Sequence, residues 1–434
     1  MTSRCPFSSR RGFMAAAGAS LLGAGIATPA AAEGQGGTPA ATMPSIVPFW
    51  GERQGGILTP TQGHTYFAAF DLTTDKLADI AAMMRAWTEA AARMSAGEPA
   101  GPLAPPLAND PDAPAGDSGE AVGLAPARLT ITFGFGPGLF VKDGRDRFGL
   151  AARRPEALVD MPVFPGDQLI EARSGGDISV QACADDPQVA FHAVRQLARL
   201  AYGAAELRWV QTGFSANFAA EDTPRNLMGF KDGTENPLAR PTAGAGIAKP
   251  EDLVWVGAEG PAWLRGGSYV VVRRIRIALE HWDRTSTAFQ EQVIGRRKDN
   301  GAPLTGRTEF DPLDLDAVDK DGNSVIPDNA HVRLATAATN DGAQILRRGY
   351  SYNDGVSFTA ERWPPWRQGM MLDAGLLFVA YQRDPRTGFI RIFENMAKFD
   401  ALNQFSTHTT SGLFAVPAGV RPGGYVGQGL FEAV

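Results

Sequence analysis

The sequence predicts an α+β fold of two halves, each an antiparallel sheet with helices laid on it. Three observations lead there. Strand-like and helix-like segments alternate, and the same rhythm runs twice along the 434 residues. Gly, Ser, Asn and Pro cluster at 212–225, between the two runs. Hydrophobic residues make up 44% of the chain, ample for a real core. The pattern divides the chain into a leader at 1–32 and halves at 33–215 and 216–434.

In the first half, residues 33–45 are Gly/Ala/Pro-rich and read as a flexible lead. His64 to Asp71 is rich in aromatic and apolar residues and reads as a strand. Thr74-Asp75 supplies a helix cap, and Leu77, Ile80, Met84, Trp87 and Ala91 then recur at helical spacing up to Gly97. Met84 and Trp87 read as core. Residues 97–127 form a Pro/Gly/Asp-rich loop. Strands follow at Leu129–Phe133 and Ile178–Ala182. Asp186-Pro187 opens a helix carrying Val189, Val194, Leu197 and Leu200, and Leu207–Gln211 closes the half as a strand. In the second half, Tyr269–Ile277 is a long alternating strand and Thr287–Val293 a helix. Strands are expected at 345–351, 376–381 and 412–416, with helices near 385–396 and 400–405.

The N-terminus reads as a targeting segment. Ser9 to Met14 contains the paired Arg10-Arg11, an apolar small-residue stretch runs from Ala15 to Ala27, and Ala30-Ala31-Ala32 is a cleavage signal. Mature protein would begin near Glu33, exported already folded by the twin-arginine translocase to the periplasm or the outside. The apolar stretch is too short and too rich in Ala and Gly to span a bilayer. Net charge is −6, and loss of Arg4, Arg10 and Arg11 with a leader that carries no acid leaves −9. That balance argues against a nucleic-acid or anionic-membrane binder. Cys5 leaves with the leader, so Cys183 has no disulfide partner and reads as a small core residue.

The chemistry-bearing residues come in order. Asp232 sits in Gly229-Phe230-Lys231-Asp232-Gly233, His331 in Asn329 to Ala335, and Arg347 after the apolar pair Ile345-Leu346. An imidazole can hold haem iron, while a carboxylate and a guanidinium can manage a peroxide. Each residue also has a plainer reading. Asp-Gly favours tight turns, and Arg347 can be a surface ion pair with its neighbour Arg348 serving instead. Adjacent strand residues face opposite ways, so only one of the two arginines can face a site. Of the five histidines, His192 lies in a helical pattern, His64 starts a strand and His408 falls in the polar run Ser406 to Thr410, read as a turn. His281, beside Trp282-Asp283, competes with His331.

The ordered set resembles the dye-decolourising peroxidases. Trp282-Asp283-Arg284-Thr285, Gln292 to Lys298 and Gly301-Ala302-Pro303-Leu304 look like that family's exported bacterial branch, which contains the deferrochelatase/peroxidase of ferrous-iron uptake systems. The resemblance covers about 43–434. It implies two ferredoxin-like halves, with haem b held mainly by the C-terminal half and His331 as axial ligand of the iron. Asp400, in Phe399 to Phe405, resembles the acid that accepts from the ligand's other nitrogen; its plainer reading is a helix N-cap. Asp232 would carry the peroxide proton and Arg347 would stabilise the departing charge. The backbone N–H groups of Gly233, Thr234 and Glu235 would meet haem propionates. A second propionate contact would fall at Thr336-Ala337-Ala338, where the branch often carries Asn-Pro-Arg, just after a strand bearing the ligand. The implied partners are hydrogen peroxide, dye-like or phenolic donors, haem itself as an iron source with its porphyrin left intact, and iron-uptake proteins. A homo-oligomer, at its smallest a dimer, is also implied. The competing classes are a non-catalytic exported haem carrier and an unrelated binding module of the same fold.

Overall fold

The computed structural model describes residues 45–103, 115–216, 223–237, 248–360 and 368–432. The leader at 1–32, nearly all of the lead at 33–45, part of the 97–127 loop and part of the 212–225 boundary lie outside the described residues. Residues 44–434 group as one compact unit.

Four strands build the first sheet: β1 (His64–Leu72), β2 (Thr130–Phe135), β3 (Ile178–Ala184) and β4 (Ala205–Phe214), in the order β2-β3-β1-β4, all antiparallel. Helix α1 (Leu77–Ser95) connects β1 to β2, and α2 (Pro187–Leu200) connects β3 to β4. This βαββαβ order is the ferredoxin-like arrangement. The second half repeats it with β5 (Ser268–Ile277), β7 (Tyr350–Ala360), β8 (Gln368–Gln382) and β9 (Ser406–Val416), in the order β7-β8-β5-β9. A two-residue β6 (Leu346–Arg347) pairs with β8 beyond the start of β7. The expected strand at 345–351 is therefore two pieces, broken at Arg348-Gly349. The two sheets join at both margins, through Phe135 opposite Ala415 and Phe214 opposite Ser351.

Strand alternation sorts the core. Ala68 and Phe70 of β1 face α1 and α2, where Trp87 stacks on Phe133 with ring centroids 5.7 Å apart and donates Nε1–H to Leu197 O. Phe67 and Ala69 face the second sheet, meeting Trp209, Val270, Val272, Leu377 and Phe414. Cys183 is buried in that layer, as the sequence implies. Asp186 caps α2, its Oδ1 accepting from Gln188 N and Val189 N, and Pro187 takes the first helical position.

Several elements depart from expectation. Lys76, not Thr74 or Asp75, stands at the N-cap of α1, and lysine has no side-chain acceptor to offer. Thr74 instead accepts from Lys76 N and donates to Asp79. The helix expected near 385–396 opens with a π turn at Arg386–Ile390 before α5 (Arg391–Phe399), and 400–405 holds only the 3-10 turn Ala401–Gln404. Earlier in the chain, α3 (Thr287–Ile294) follows the expected helix and ends on Gly295 in the left-handed conformation. His331 stands on no strand: it opens the short helix α4 (His331–Ala335). His408 lies within β9 and is buried, so Ser406 to Thr410 is strand rather than turn.

Candidate active site

The turn around Asp232 is organised from its ends. Asn226 Oδ1 accepts from Met228 N and Phe230 N, and Asn226 N–H donates to Phe230 O. Gly229 and Gly233 take φ values of +85° and +135°, which a side chain would strain. Met228 and Phe230 are buried against Trp282 and Phe405, and Trp282 Nε1–H donates to Met228 O. The turn is thus fixed by an aromatic cluster, and Asp232 is what it presents.

Arg347 Nη1 donates to Asp232 Oδ1 at 2.6 Å. Arg348 faces the other way and is buried, donating to Thr59 O and Gln62 Oε1. Asn226 Nδ2 lies 3.4 Å from the second Asp232 oxygen. Burial pushes the Asp232 carboxyl up; the charge and hydrogen bond of Arg347, with smaller help from His331 and Asn226, push it down, and the group sits below the ordinary value.

His331 Nδ1 is 2.7 Å from Asp400 Oδ2. Asp400 Oδ1 accepts from Leu402 N at 2.8 Å, so one side chain is both turn cap and histidine partner. Burial pushes the His331 ring down, and Asp400 more than reverses this, leaving it above its ordinary value. Ala401 N–H donates to Asn329 O, tying this turn to the entry of α4.

These groups line one cavity of about 470 Å³. Asp232, Gly233, Thr234, Glu235 and Arg347 line it together with His331, Thr336, Ala337, Ala338 and Asp400. Its apolar wall includes Ile275, Ile277, Leu376, Phe378 and Phe393. Each lining cation has a carboxylate: Lys231 meets Glu309, Arg296 meets Glu235 and Arg347 meets Asp232. Thr234 donates its hydroxyl to Glu309 Oε1, and Thr336 to Arg333 O. His281 is absent from the lining and packs its ring on Phe405.

The sequence reading missed several lining groups. Asn226 and Arg296 sit inside or beside quoted motifs but carry no spacing signal. His408 also reaches the cavity. Arg273 Nε donates to its Nδ1 at 3.1 Å, and burial followed by that positive charge holds the ring well below its ordinary value, hence neutral.

Haem fits this donor set. A flat, largely apolar cofactor suits an apolar cavity in the range of roughly 300–1,000 Å³. With Nδ1 committed to Asp400, His331 keeps Nε2 for a metal, the arrangement that orients iron-binding imidazoles.

Comparison with known proteins places the chain. The family models "Dyp-type peroxidase, N-terminal" and "Dyp-type peroxidase, C-terminal" match residues 54–215 and 223–421. A dye-decolorizing peroxidase of Thermobifida fusca is 40% identical over 98% of this chain and 97% of its own length. A deferrochelatase of Escherichia coli is 37% identical over 89% of this chain and 87% of its own. A DyP-type peroxidase structure from Streptomyces coelicolor superposes with a TM-score of 0.78 at 43% identity, covering 89% of this chain and 97% of that one. Ferric DtpA from Streptomyces lividans gives 0.77 at 43% identity, over 89% and 97%. The chain belongs to the Dyp-type peroxidase family.

Proposed function

We propose that the protein is a haem-dependent peroxidase that binds haem b, consumes hydrogen peroxide and oxidises small dye-like or phenolic donors. One observation carries this reading: the Asp232–Arg347 pair and the His331–Asp400 pair, at 2.6 and 2.7 Å, face a single apolar cavity. Haem, when bound, would supply the electrons that reduce the peroxide bond. His331 Nε2 would hold the iron, and Asp400 accepts the hydrogen bond of Nδ1. Asp232, kept ionised by Arg347, takes a proton from one peroxide oxygen and returns it to the other, which departs as water. Arg347 offsets the negative charge that grows on that oxygen. The backbone N–H groups of Gly233, Thr234 and Glu235 are the donors for propionates. A haem carrier without turnover needs His331 but neither Asp232 nor Arg347.

The test is reconstitution with haem, a Soret spectrum, and stopped-flow mixing with peroxide. Asp232→Ala and Arg347→Ala should keep haem while slowing peroxide cleavage by roughly 10²–10⁴-fold. Equal rates in parent and both variants would reduce Asp232 and Arg347 to structural residues, and a parent that binds haem but does not react with peroxide would be the carrier.

Release of iron from haem, with the porphyrin intact, is a second reading. It is supported by the similarity to deferrochelatases. It would place the protein beside iron-uptake partners, and the appearance of fluorescent metal-free porphyrin on incubation with haem reads it out. Within the division into a leader at 1–32 and halves at 33–215 and 216–434, the boundary between the halves is supported by the family matches, which end at 215 and resume at 223. Export through the twin-arginine route is supported by Arg10-Arg11 ahead of the apolar run. A folded reporter fused to residues 1–32 should be exported, and export surviving Arg10→Lys plus Arg11→Lys would sink this assignment.

A further inference from the structure

Arg347 ends a two-residue strand with an uncovered margin. It stands opposite Ala380 of β8, while the N–H of the next residue, Arg348, donates to Val379 O. In an antiparallel ladder alternate residues turn their N–H and C=O to opposite sides. Arg347 therefore turns both of its backbone groups away from β8. No strand lies on that side of Arg347 among the described residues. The side chain of Asn236 is there instead. Arg347 N–H donates to Asn236 Oδ1 at 3.1 Å, and Asn236 Nδ2 donates to Arg347 O at 2.8 Å.

We infer that Asn236 is a positioning residue: its side-chain amide stands in for a missing strand along Arg347 and thereby sets where the guanidinium meets Asp232. A carboxamide carries one acceptor and one donor group on a planar frame, the same pair a peptide unit offers. Asn236 belongs to the turn that presents Asp232, and its own N–H donates to Gly233 O at 2.7 Å. One turn thus grips residue 347 twice, by carboxylate on the guanidinium and by amide on the backbone. A lone ion pair leaves a long arginine side chain free to swing about its contact. Anchoring the Cα as well removes that freedom and fixes the pair relative to the cavity.

The functional half of this inference rests on the peroxidase reading; the structural half does not. The experiment therefore has two arms, run on the full chain with Asn236→Ala and the isosteric Asn236→Asp. In the first arm, hydrogen exchange at the Arg347 amide is followed without haem. Asn236→Ala should expose that amide and speed its exchange at least tenfold, while Asn236→Asp, which keeps the acceptor oxygen, should protect it. In the second arm, haem affinity by Soret titration, fluoride affinity of the ferric protein and the second-order rate with peroxide are measured. Haem affinity should match the parent. Fluoride binding and the peroxide rate should each fall about 10–100-fold, the scale of a misplaced rather than a missing group. Asn236→Asp should also lose rate, because the new carboxylate competes with Asp232 for the guanidinium. Unchanged exchange in Asn236→Ala, or a peroxide rate within twofold of the parent in either variant, overturns the inference. A purely structural role would lower melting temperature and haem loading yet leave the rate of the loaded fraction intact, and that also overturns it. If Asn236→Ala does not fold, the rate of Asn236→Asp decides. A parent that binds haem but ignores peroxide defeats the peroxidase reading, and the exchange arm then stands alone.

Discussion

Asp400 serves two partners with its two oxygens, Leu402 N–H and His331 Nδ1. Replacing it by asparagine keeps the shape and the turn cap but removes the charge that holds the His331 proton. Partners of metal-bound histidines are typically worth about 10–100-fold in affinity. Asp400→Asn should therefore weaken haem binding by that factor in a Soret titration. Unaltered haem affinity, or a larger loss from His281→Ala, would refute the assignment of His331. His408 makes a different demand. Its folded value lies well below the ordinary 6.5 because burial and Arg273 disfavour a second proton. The unfolded chain then binds the extra proton first as pH falls. Stability conferred by the neutral ring is complete above about 6.5 and is lost progressively below it. His331 has the opposite sign in the haem-free protein, since its raised value gives stability that fades as pH rises. Comparing His408→Asn with the parent isolates the first effect: between pH 7 and 5, urea unfolding should show a shallower decline in the variant. Parallel profiles would mean that His408 is not the group responsible.

At the scale of elements, the order of strands and helices was legible wherever the apolar pattern was clean. Asp186-Pro187 announced α2, and the alternation in Tyr269–Ile277 announced β5. Two misreadings, of 406–410 as a turn and of β8 as a short strand, trace to polar residues that partner the buried arginines of β5. Arg273 and Arg274 of β5 are buried and need acceptors. They find His408 and Ser411, and Thr409, on the adjacent strand. A run of Ser, Thr and His reads locally as a turn, and only the neighbouring arginines make it a strand. β8 was read as six residues because Gly369, Asp373 and Gly375 interrupt its pattern; Asp373 is there to pair with Arg274. Within the cavity, Asp232, His331 and Arg347 were legible because their order and flanking residues form a set. Strand alternation said that only one of Arg347 and Arg348 faces the site, the register after Ile345-Leu346 chose Arg347, and the two side chains do point apart. Asn236 was not legible, since its task exists only because β6 stops after two residues.

At the scale of the molecule, the two halves share more than a boundary. The β5–β8 pairing closes the nine strands of the described residues into one hydrogen-bonded system, joined between halves at Phe135–Ala415 and Phe214–Ser351. Those two joints are single residue pairs and contribute little by themselves. The layer between the sheets contributes far more. Phe67, Ala69 and Trp209 from the first half pack on Val270, Val272, Leu377 and Phe414 from the second. The larger cluster under α1 and α2 also takes in Leu413, Tyr425 and Leu430 from the end of the chain. Removing residues 216–434 would expose this apolar face and strip Phe135 of its ring contacts with Trp263 and Phe431. A contiguous patch of that kind binds other apolar surfaces and erodes cooperativity. Residues 33–215 produced alone should therefore bind 8-anilinonaphthalene-1-sulfonate and melt without a sharp transition, whereas the full chain should melt in one step by calorimetry and by tryptophan fluorescence. A fragment with a sharp transition and no dye binding would show that the first half is self-sufficient, and the layer between the sheets would then be a docking surface rather than a shared core.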